Sequence, residues 1–441
     1  MKEIIIELLN AKKYAEIRDI LSEMDPADVA ALLEQLDERS LTLVFRLLPK
    51  ELAAESFVEL ESDTQSVLIR TFSDSELKDV LDELYLDDAV DLVEEMPANV
   101  VRRILRQTDK ETRMKINEIL KYPKDSAGSL MTVEYVSLRS GVTVADAFST
   151  IRRTAIDKET IYTCYVVDSN RKLIGVVSAK DLMLADPDDV VDDIMETKVI
   201  SVSTIDDKEN VAQKMGKYDM IAIPVVDSEN RLVGIVTFDD AMDVMEDEAT
   251  EDIEKMAAIM PTDKPYLKTG VVETWLKRIP WLMILMISAT FTSIIINHYE
   301  TALTAFGLAA FMPMLMDTGG NAGSQASVTI IRGLSLGDIH MGDIFRIIWK
   351  EFRVSLLCGV SMAVVTFAKV MIIDRPGMMV ACVVSLTLLS GIITAKIVGC
   401  TLPILAKRIG FDPAVMASPF ITTIVDALSL IIYFQIAHAL L

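Results

Sequence analysis

The chain has 441 residues and a formal net charge of −23, and the charge is unevenly placed. Residues 1–275 hold 58 Asp+Glu against 32 Lys+Arg, while the rest, from Leu276, holds 8 against 11. An acidic half joined to an apolar half argues against nucleic-acid binding, which needs basic patches, and suits cations instead.

The first segment, MKEIIIELLNAKKYAEIRDI, has acidic groups inside its short apolar run. It does not read as a signal peptide, so the acidic half is expected in the cytosol. Residues 1–128 read as an acidic, all-α N-domain of short amphipathic helices. In DPADVAALLEQLD, Val29, Leu32, Leu33 and Leu36 form one helical stripe, and Asp25-Pro26 is a helix start. The pattern returns in PKELAAESFVEL, SDSELKDVLDEL, LDDAVDLVEEM and PANVVRRIL, which predicts a stacked, superhelical array.

Residues 129–246 contain an internal repeat. TCYVVDSNRKLIGVVSAKDL matches AIPVVDSENRLVGIVTFDDA at an offset of 59 residues, pairing Asp168 with Asp227, Gly175 with Gly234, Ser178 with Thr237 and Asp181 with Asp240. Each copy predicts a strand, an Asp-Ser-x-Asn turn, a second strand and a helix opening after Ser178 or Thr237. The G-h-h-[ST]-x-x-D pattern resembles a tandem CBS pair, an α/β unit. That resemblance implies ATP or another adenine nucleotide, with Ser178, Asp181, Thr237 and Asp240 at phosphate and ribose. The plainer alternative is that Ser178 and Thr237 cap their helices. Residues 247–275 read as an acidic connecting helix, broken at Pro261.

Residues 276–441 predict a transmembrane domain of five helices, at 280–296, 303–331, 354–373, 379–405 and 413–440. Lys277, Arg278, Arg332, Arg346, Lys350, Arg353, Lys407 and Arg408 then fall on one side, and His298, Glu300, Asp374 and Arg375 on the other. Positive charge marks the cytoplasmic side, so the N-terminus is expected inside an inner (plasma) membrane and the C-terminus outside it.

The second span contains PMLMDTGGNAGSQASVTIIRGLSLGD. Close helix packing accounts for Gly319, Gly320 and Gly323 but not for Asp317, Asn321 and Gln325. A polar break is expected here, forming a polar pore wall or a pore-supporting segment, since non-helical backbone at membrane depth must line water or be buried in protein. In the fifth span Asp426 is the one charged residue between Pro413 and Ala437. A carboxylate at the centre of a bilayer costs roughly 2.5–3.5 kcal/mol, so it marks an ion path or, in the blander reading, a packing carboxylate. Lys369 and Lys396 also lie in spans, and the sequence assigns them no partner.

The four cysteines form no C-x-x-C pair and the three histidines are far apart, so any metal site must be built from oxygen, which selects hard cations. Apart from the CBS-like pattern there is no phosphate loop and no nucleophile–base motif, so an enzyme is not expected.

The order of segments, with DTGGNAGSQ in the second span and DPAVMASPFITTIVDA leading into the fifth, resembles the MgtE family of magnesium channels and transporters over essentially the whole chain. The resemblance implies a homodimer in a lipid bilayer, with a pore formed by the second and fifth spans. It implies that Asp426 binds magnesium there and that the Thr422 carbonyl faces the ion. Ser418 stands where some members carry Asn, so no ligand role is carried over to it.

It further implies a sensor that closes the pore when cytosolic magnesium is high. The matching positions are Asp87 and Asp91 in the N-domain; Asp207, Asp219, Asp240 and Asp243 in the second CBS copy; Glu248, Glu251 and Asp252 on the connecting helix; and Asp412 at the mouth of the fifth span. Domains this acidic repel across a dimer, and divalent cations binding the compact state more tightly would favour it. Mg over Mn or Co is not decided by these residues. A transporter of another divalent cation and a non-conducting nucleotide-sensing receptor remain the alternatives.

Overall fold

The computed structural model describes residues 1–262, 266–299, 307–416 and 418–441. Glu300, the start of the second predicted span at 303–306 and the Ser418 side chain lie outside the described set. The chain divides into two compact units, Met1–Met245 and Glu246–Leu441.

The first unit opens with ten helices of eight to ten residues between Lys2 and Ile119. Helices this short are marginal alone, so caps and a shared core decide them. The Asp25 carboxylate accepts the Ala27 N–H with Pro26 at the first position, and Ser73 and Glu76 cap each other reciprocally. Each such cap contributes about 1 kcal/mol. The core of this array runs through Leu33, Phe57, Leu68 and Ile104 and continues into Val211, Ile223 and Val236 of the repeat region.

The repeat forms two three-stranded sheets. Strand β1 (Tyr135–Arg139) pairs parallel with β2 (Thr160–Val167), which pairs antiparallel with β3 (Leu173–Ser178). The second copy repeats this with β4 (Val202–Ser203), β5 (Ala222–Val226) and β6 (Leu232–Thr237). The matched aspartates are turn residues: Asp168 Oδ1 accepts the N–H groups of Asn170 and Lys172, and Asp227 Oδ1 those of Glu229 and Arg231. At Gly234 a Cβ would come 2.7 Å from the Met131 sulfur, so glycine is needed there for close packing. After β6 a single helix, Phe238–Met256, leads from the first unit into the second. It ends at Met256 and is followed by Ala258 at φ 55°, so the helix stops five residues before the break expected at Pro261.

The second unit contains long helices at Val271–His298, Met312–Ser335, Ile344–Lys369, Met378–Arg408 and Ser418–Leu440. Four described stretches are long and apolar enough to cross a membrane: Val271–His298, Met341–Asp374, Met378–Arg408 and Pro413–Leu440. The Met312–Ser335 helix is not among them, although 24 residues suffice to span, because its sequence is too polar. Here the structure corrects the sequence reading. The expected polar break is absent among the described residues, and DTGGNAGSQ is helical throughout. A continuous helix satisfies its own backbone hydrogen bonds, which a break at membrane depth does not.

Candidate functional site

The glycines of the Met312–Ser335 helix determine how it packs. A Cβ on Gly319 would lie 3.0 Å from Ser429 Oγ, one on Gly320 3.0 Å from Thr422 Cγ2, and one on Gly323 2.9 Å from Ile421 Cγ2. A Cβ on Gly399, in the Met378–Arg408 helix, would run into the Gly323 carbonyl. Close packing therefore explains all three glycines of the motif. Its polar members lie elsewhere on the helix. Asp317, Asn321 and Gln325, spaced by four, form an exposed stripe, while Gly319, Gly320, Ala322, Gly323 and Ala326 are buried.

The upper part of that stripe meets the fifth span. A cavity of about 570 Å³ is lined by Met312, Pro313, Met316, Asp317, Gly320, Asn321, Thr422 and Asp426, with Ala309 at its edge. Two carboxylates, an amide and a hydroxyl line a space large enough for an ion with a full first water shell, at about 30 Å³ per water. Asp426 is half-buried, and the Thr422 hydroxyl donates to the Pro419 carbonyl at 2.9 Å. The sequence singled out Asp426 in the fifth span and Asp317 and Asn321 in the second, and the resemblance implied Thr422; the cavity brings these four together, while Gln325 does not line it.

The intramembrane lysines, left without a partner by the sequence, have one. Lys396 and Glu351 form an ion pair at 3.6 Å with side chains 7% and 13% exposed, joining the Met378–Arg408 and Ile344–Lys369 helices. Lys369 pairs with Asp374 at 2.7 Å and lies 6.0 Å from the Phe311 ring centroid.

On the connecting helix, Asp252 accepts the Ser335 hydroxyl at 2.8 Å. Lys255 pairs with Asp412 at 2.6 Å and also with Glu251. Asp412 in turn accepts the Ala414 N–H at 2.8 Å. Burial raises the Asp252 pKa. Burial alone would lower that of Lys255, but its bonds to Asp412 and Glu251 outweigh this and raise it. Glu248 lies one turn before Asp252 on the same helix.

In the first unit, Asp87 and Asp91 lie on the Leu86–Glu95 helix and act electrostatically on Asp240, at the start of the Phe238–Met256 helix. Asp87 is only 8% exposed, and burial, then Asp240, pushes its pKa well up. Burial and the same neighbour bring Asp91 to about 7, and Asp88 likewise to about 7. Burial brings Glu159 to about 7, with Asp239 and Asp88 adding to the shift. Burial brings Asp240 to about 6, against the hydrogen bond from Thr237 that lowers it. Sequence reasoning missed Asp88, Asp239, Glu134 and Glu159. The doublets in LDDAV and FDDAM were a signal for the first two. The two glutamates join only through the fold, where the Glu159 N–H donates to the Glu134 carbonyl at 2.9 Å.

Other predicted residues do not converge. Asp207 and Asp219 sit at opposite ends of the Lys208–Tyr218 helix, about 18 Å apart at 1.5 Å per residue. Asp207 caps it by accepting the Glu209 N–H at 2.9 Å, and Asp219 ends it at φ 51°. Asp243 lies one turn beyond Asp240. Ser178 caps its helix, accepting the Asp181 N–H at 3.1 Å and donating to the Asp181 carboxylate at 2.6 Å. Thr237 donates to Asp240 at 2.6 Å. Among the described residues no group of three or more His, Cys, Asp or Glu side chains is assembled as a metal site.

Known proteins resemble the chain along its length. A divalent cation transporter family model matches residues 312–436, an MgtE intracellular N domain model residues 24–125, and a CBS domain model residues 127–188 and 191–247. The magnesium transporter MgtE of Thermus thermophilus is 41% identical over 440 residues, covering 99% of this chain and 97% of that protein. Its namesake from Bacillus subtilis is 35% identical over 436 residues, covering 99% and 96%. Among solved structures, the cytosolic domain of the Mg2+ channel MgtE in complex with ATP matches with a TM-score of 0.53 at 40% identity, over 55% of this chain and 100% of that one. The soluble part of a magnesium transporter matches at 0.52 and 34%, over 56% and 98%.

Proposed function

The chain belongs to the MgtE family of divalent cation transporters, and on that footing we propose that it is a magnesium channel whose ion path runs through the Asp426 cavity. The observation that carries this reading is the convergence of Asp317, Asn321, Thr422 and Asp426 where two membrane helices meet. Magnesium sheds its water reluctantly, so a site of one or two carboxylates plus retained water suits it. A polar stripe of Asp317, Asn321 and Gln325 cannot face lipid without cost. Facing a second copy across a two-fold axis, it lines water, and two Asp426 carboxylates then meet one divalent charge.

Two acidic groups supply the gate in this reading. Asp87, Asp91 and Asp240, with Asp88 and Glu159, crowd negative charge that a cation relieves. Asp243 adds to that first group through its charge on Asp240, and Glu248, Glu251, Asp252 and Asp412 form the second, within the membrane unit. Asp207 and Asp219 contribute, at most, separately within one chain. Ser178, Asp181, Thr237 and Asp240 are the proposed nucleotide contacts, supported by the ATP complex of the related cytosolic domain. The N-terminus is cytoplasmic and the C-terminus extracytoplasmic.

The test is magnesium-dependent growth of a transport-deficient host carrying the parent chain or Asp426→Ala at equal expression. Rescue by the parent alone supports the ion path. Equal rescue by both removes Asp426 from it, and rescue only by manganese or cobalt changes the cargo.

A further inference from the structure

The end of the connecting helix is held against the membrane unit by a lysine. Lys255 Nζ lies 2.6 Å from Asp412 Oδ2 and also pairs with Glu251, one turn back on its own helix. The Lys255 side chain is 23% exposed. Asp412 is fixed from the other side, because its second oxygen accepts the Ala414 N–H at 2.8 Å in the turn that leads into the fifth span. Asp252 accepts from Ser335, the last residue of the Met312–Ser335 helix. Met256 packs against Ile331 and Ala414. The helix end is thus hooked to the ends of both helices that line the cavity.

Glu251, Asp252 and Asp412 bring three carboxylates to this contact, and Lys255 returns one positive charge. An ammonium carries three donors, so it bridges two carboxylates without the stripping of water that a divalent ion demands. We propose that Lys255 is an internal substitute for a divalent cation. Its ammonium ties the connecting helix to Asp412 when magnesium is scarce, holds the closed arrangement in part, and so sets the magnesium concentration at which the pore shuts. The proposal rests on the reading of the connecting helix as gate. The two carboxylates it bridges are residues that reading gives to magnesium. Bound magnesium then adds to the latch, at the charge Lys255 leaves unbalanced, rather than taking its place.

The opposite role is a lysine that occupies the seat magnesium needs. The two differ in sign, so one substitution separates them. Full-length parent, Lys255→Met and Lys255→Arg are reconstituted in liposomes, and magnesium influx is followed while magnesium on the cytoplasmic side is varied. Backbone amide exchange of residues 248–257 is measured on the same proteins in chelator. The latch predicts that Lys255→Met raises the closing concentration of magnesium about tenfold, the ratio that ~1.4 kcal/mol of lost bridging gives. It also predicts faster exchange in that segment, and parent-like behaviour for Lys255→Arg. An unchanged or lowered closing concentration, or unchanged exchange, overturns it. If magnesium fails to close the parent, the gating reading fails, and the exchange arm still decides whether Lys255 holds the helix end.

Discussion

Replacing Lys396 with Met should cost the protein much of its stability, and replacing Glu351 as well should return most of it. Both side chains are almost fully buried, between helices of an apolar unit, at 3.6 Å from each other. Removing one partner leaves a buried charge without compensation, which costs roughly 3–5 kcal/mol. Replacing both with apolar groups of similar volume is close to neutral. For a unit of this size 1 kcal/mol moves Tm by about 2–4 °C, so Lys396→Met should lower it by roughly 10 °C. Lys396→Met/Glu351→Met should recover most of that. The assay is thermal unfolding of purified protein in detergent, followed by light scattering and intrinsic fluorescence. A single variant within about 2 °C of the parent, or a double variant no better than the single, refutes the reasoning. The first would mean the pair is wetted, the second that the charges do more than neutralise each other.

Three further outcomes follow from the geometry. The carboxylates of Asp88, Asp91 and Glu159 have pKa values raised to about 7, so the stability tied to their protonated forms is full below the ordinary carboxylate range and lost as pH rises through 7. In chelator, Tm of the first unit should therefore fall from pH 6 to pH 8, and millimolar magnesium should abolish the fall; a rise with pH contradicts the reading. Gly399→Ala places a methyl against the Gly323 backbone carbonyl, which cannot swing aside as a side chain can, and should cost about 1–3 kcal/mol and most magnesium uptake, as thermal unfolding and flux will show. Asp181→Ala should remove an ATP-induced rise in Tm if the Ser178–Asp181 pair contacts nucleotide, and should leave that rise intact if the pair only caps its helix.

The CBS pair was legible because each copy repeats the same local chemistry at a fixed offset, down to the turn aspartates and the packing glycine. The short helices of the N-domain announced themselves through Asp25-Pro26 and Ser73-x-x-Glu76, which are local signals. The second span was misread for a physical reason. Gly319, Gly320 and Gly323 pack under Ser429, Thr422 and Ile421, as close helix packing requires, but the break was inferred from Asp317, Asn321 and Gln325, whose spacing of four simply places them on one exposed face of a continuous helix. Asp426 stood out because a lone carboxylate in an apolar run is conspicuous. Its cavity neighbour Asp317 was visible as a polar anomaly, but its place beside Asp426 was not. Lys396 could not be assigned Glu351 from sequence, since the two residues lie 45 positions apart in the chain and on different helices. Glu134 and Glu159 likewise join the acidic group of the first unit only through strand pairing.

In the proposed function a divalent cation passes between the second-span stripe and the fifth-span carboxylate. The most direct test is magnesium flux into liposomes holding purified parent, Asp426→Asn or Asp317→Asn, each shown to be folded by its unfolding transition. Saturable flux is expected for the parent, a loss of at least about tenfold for Asp426→Asn, which is ~1.4 kcal/mol of lost ion stabilisation, and an intermediate loss for Asp317→Asn. Parent-like flux through folded Asp426→Asn would take Asp426 off the ion path and make it a packing carboxylate.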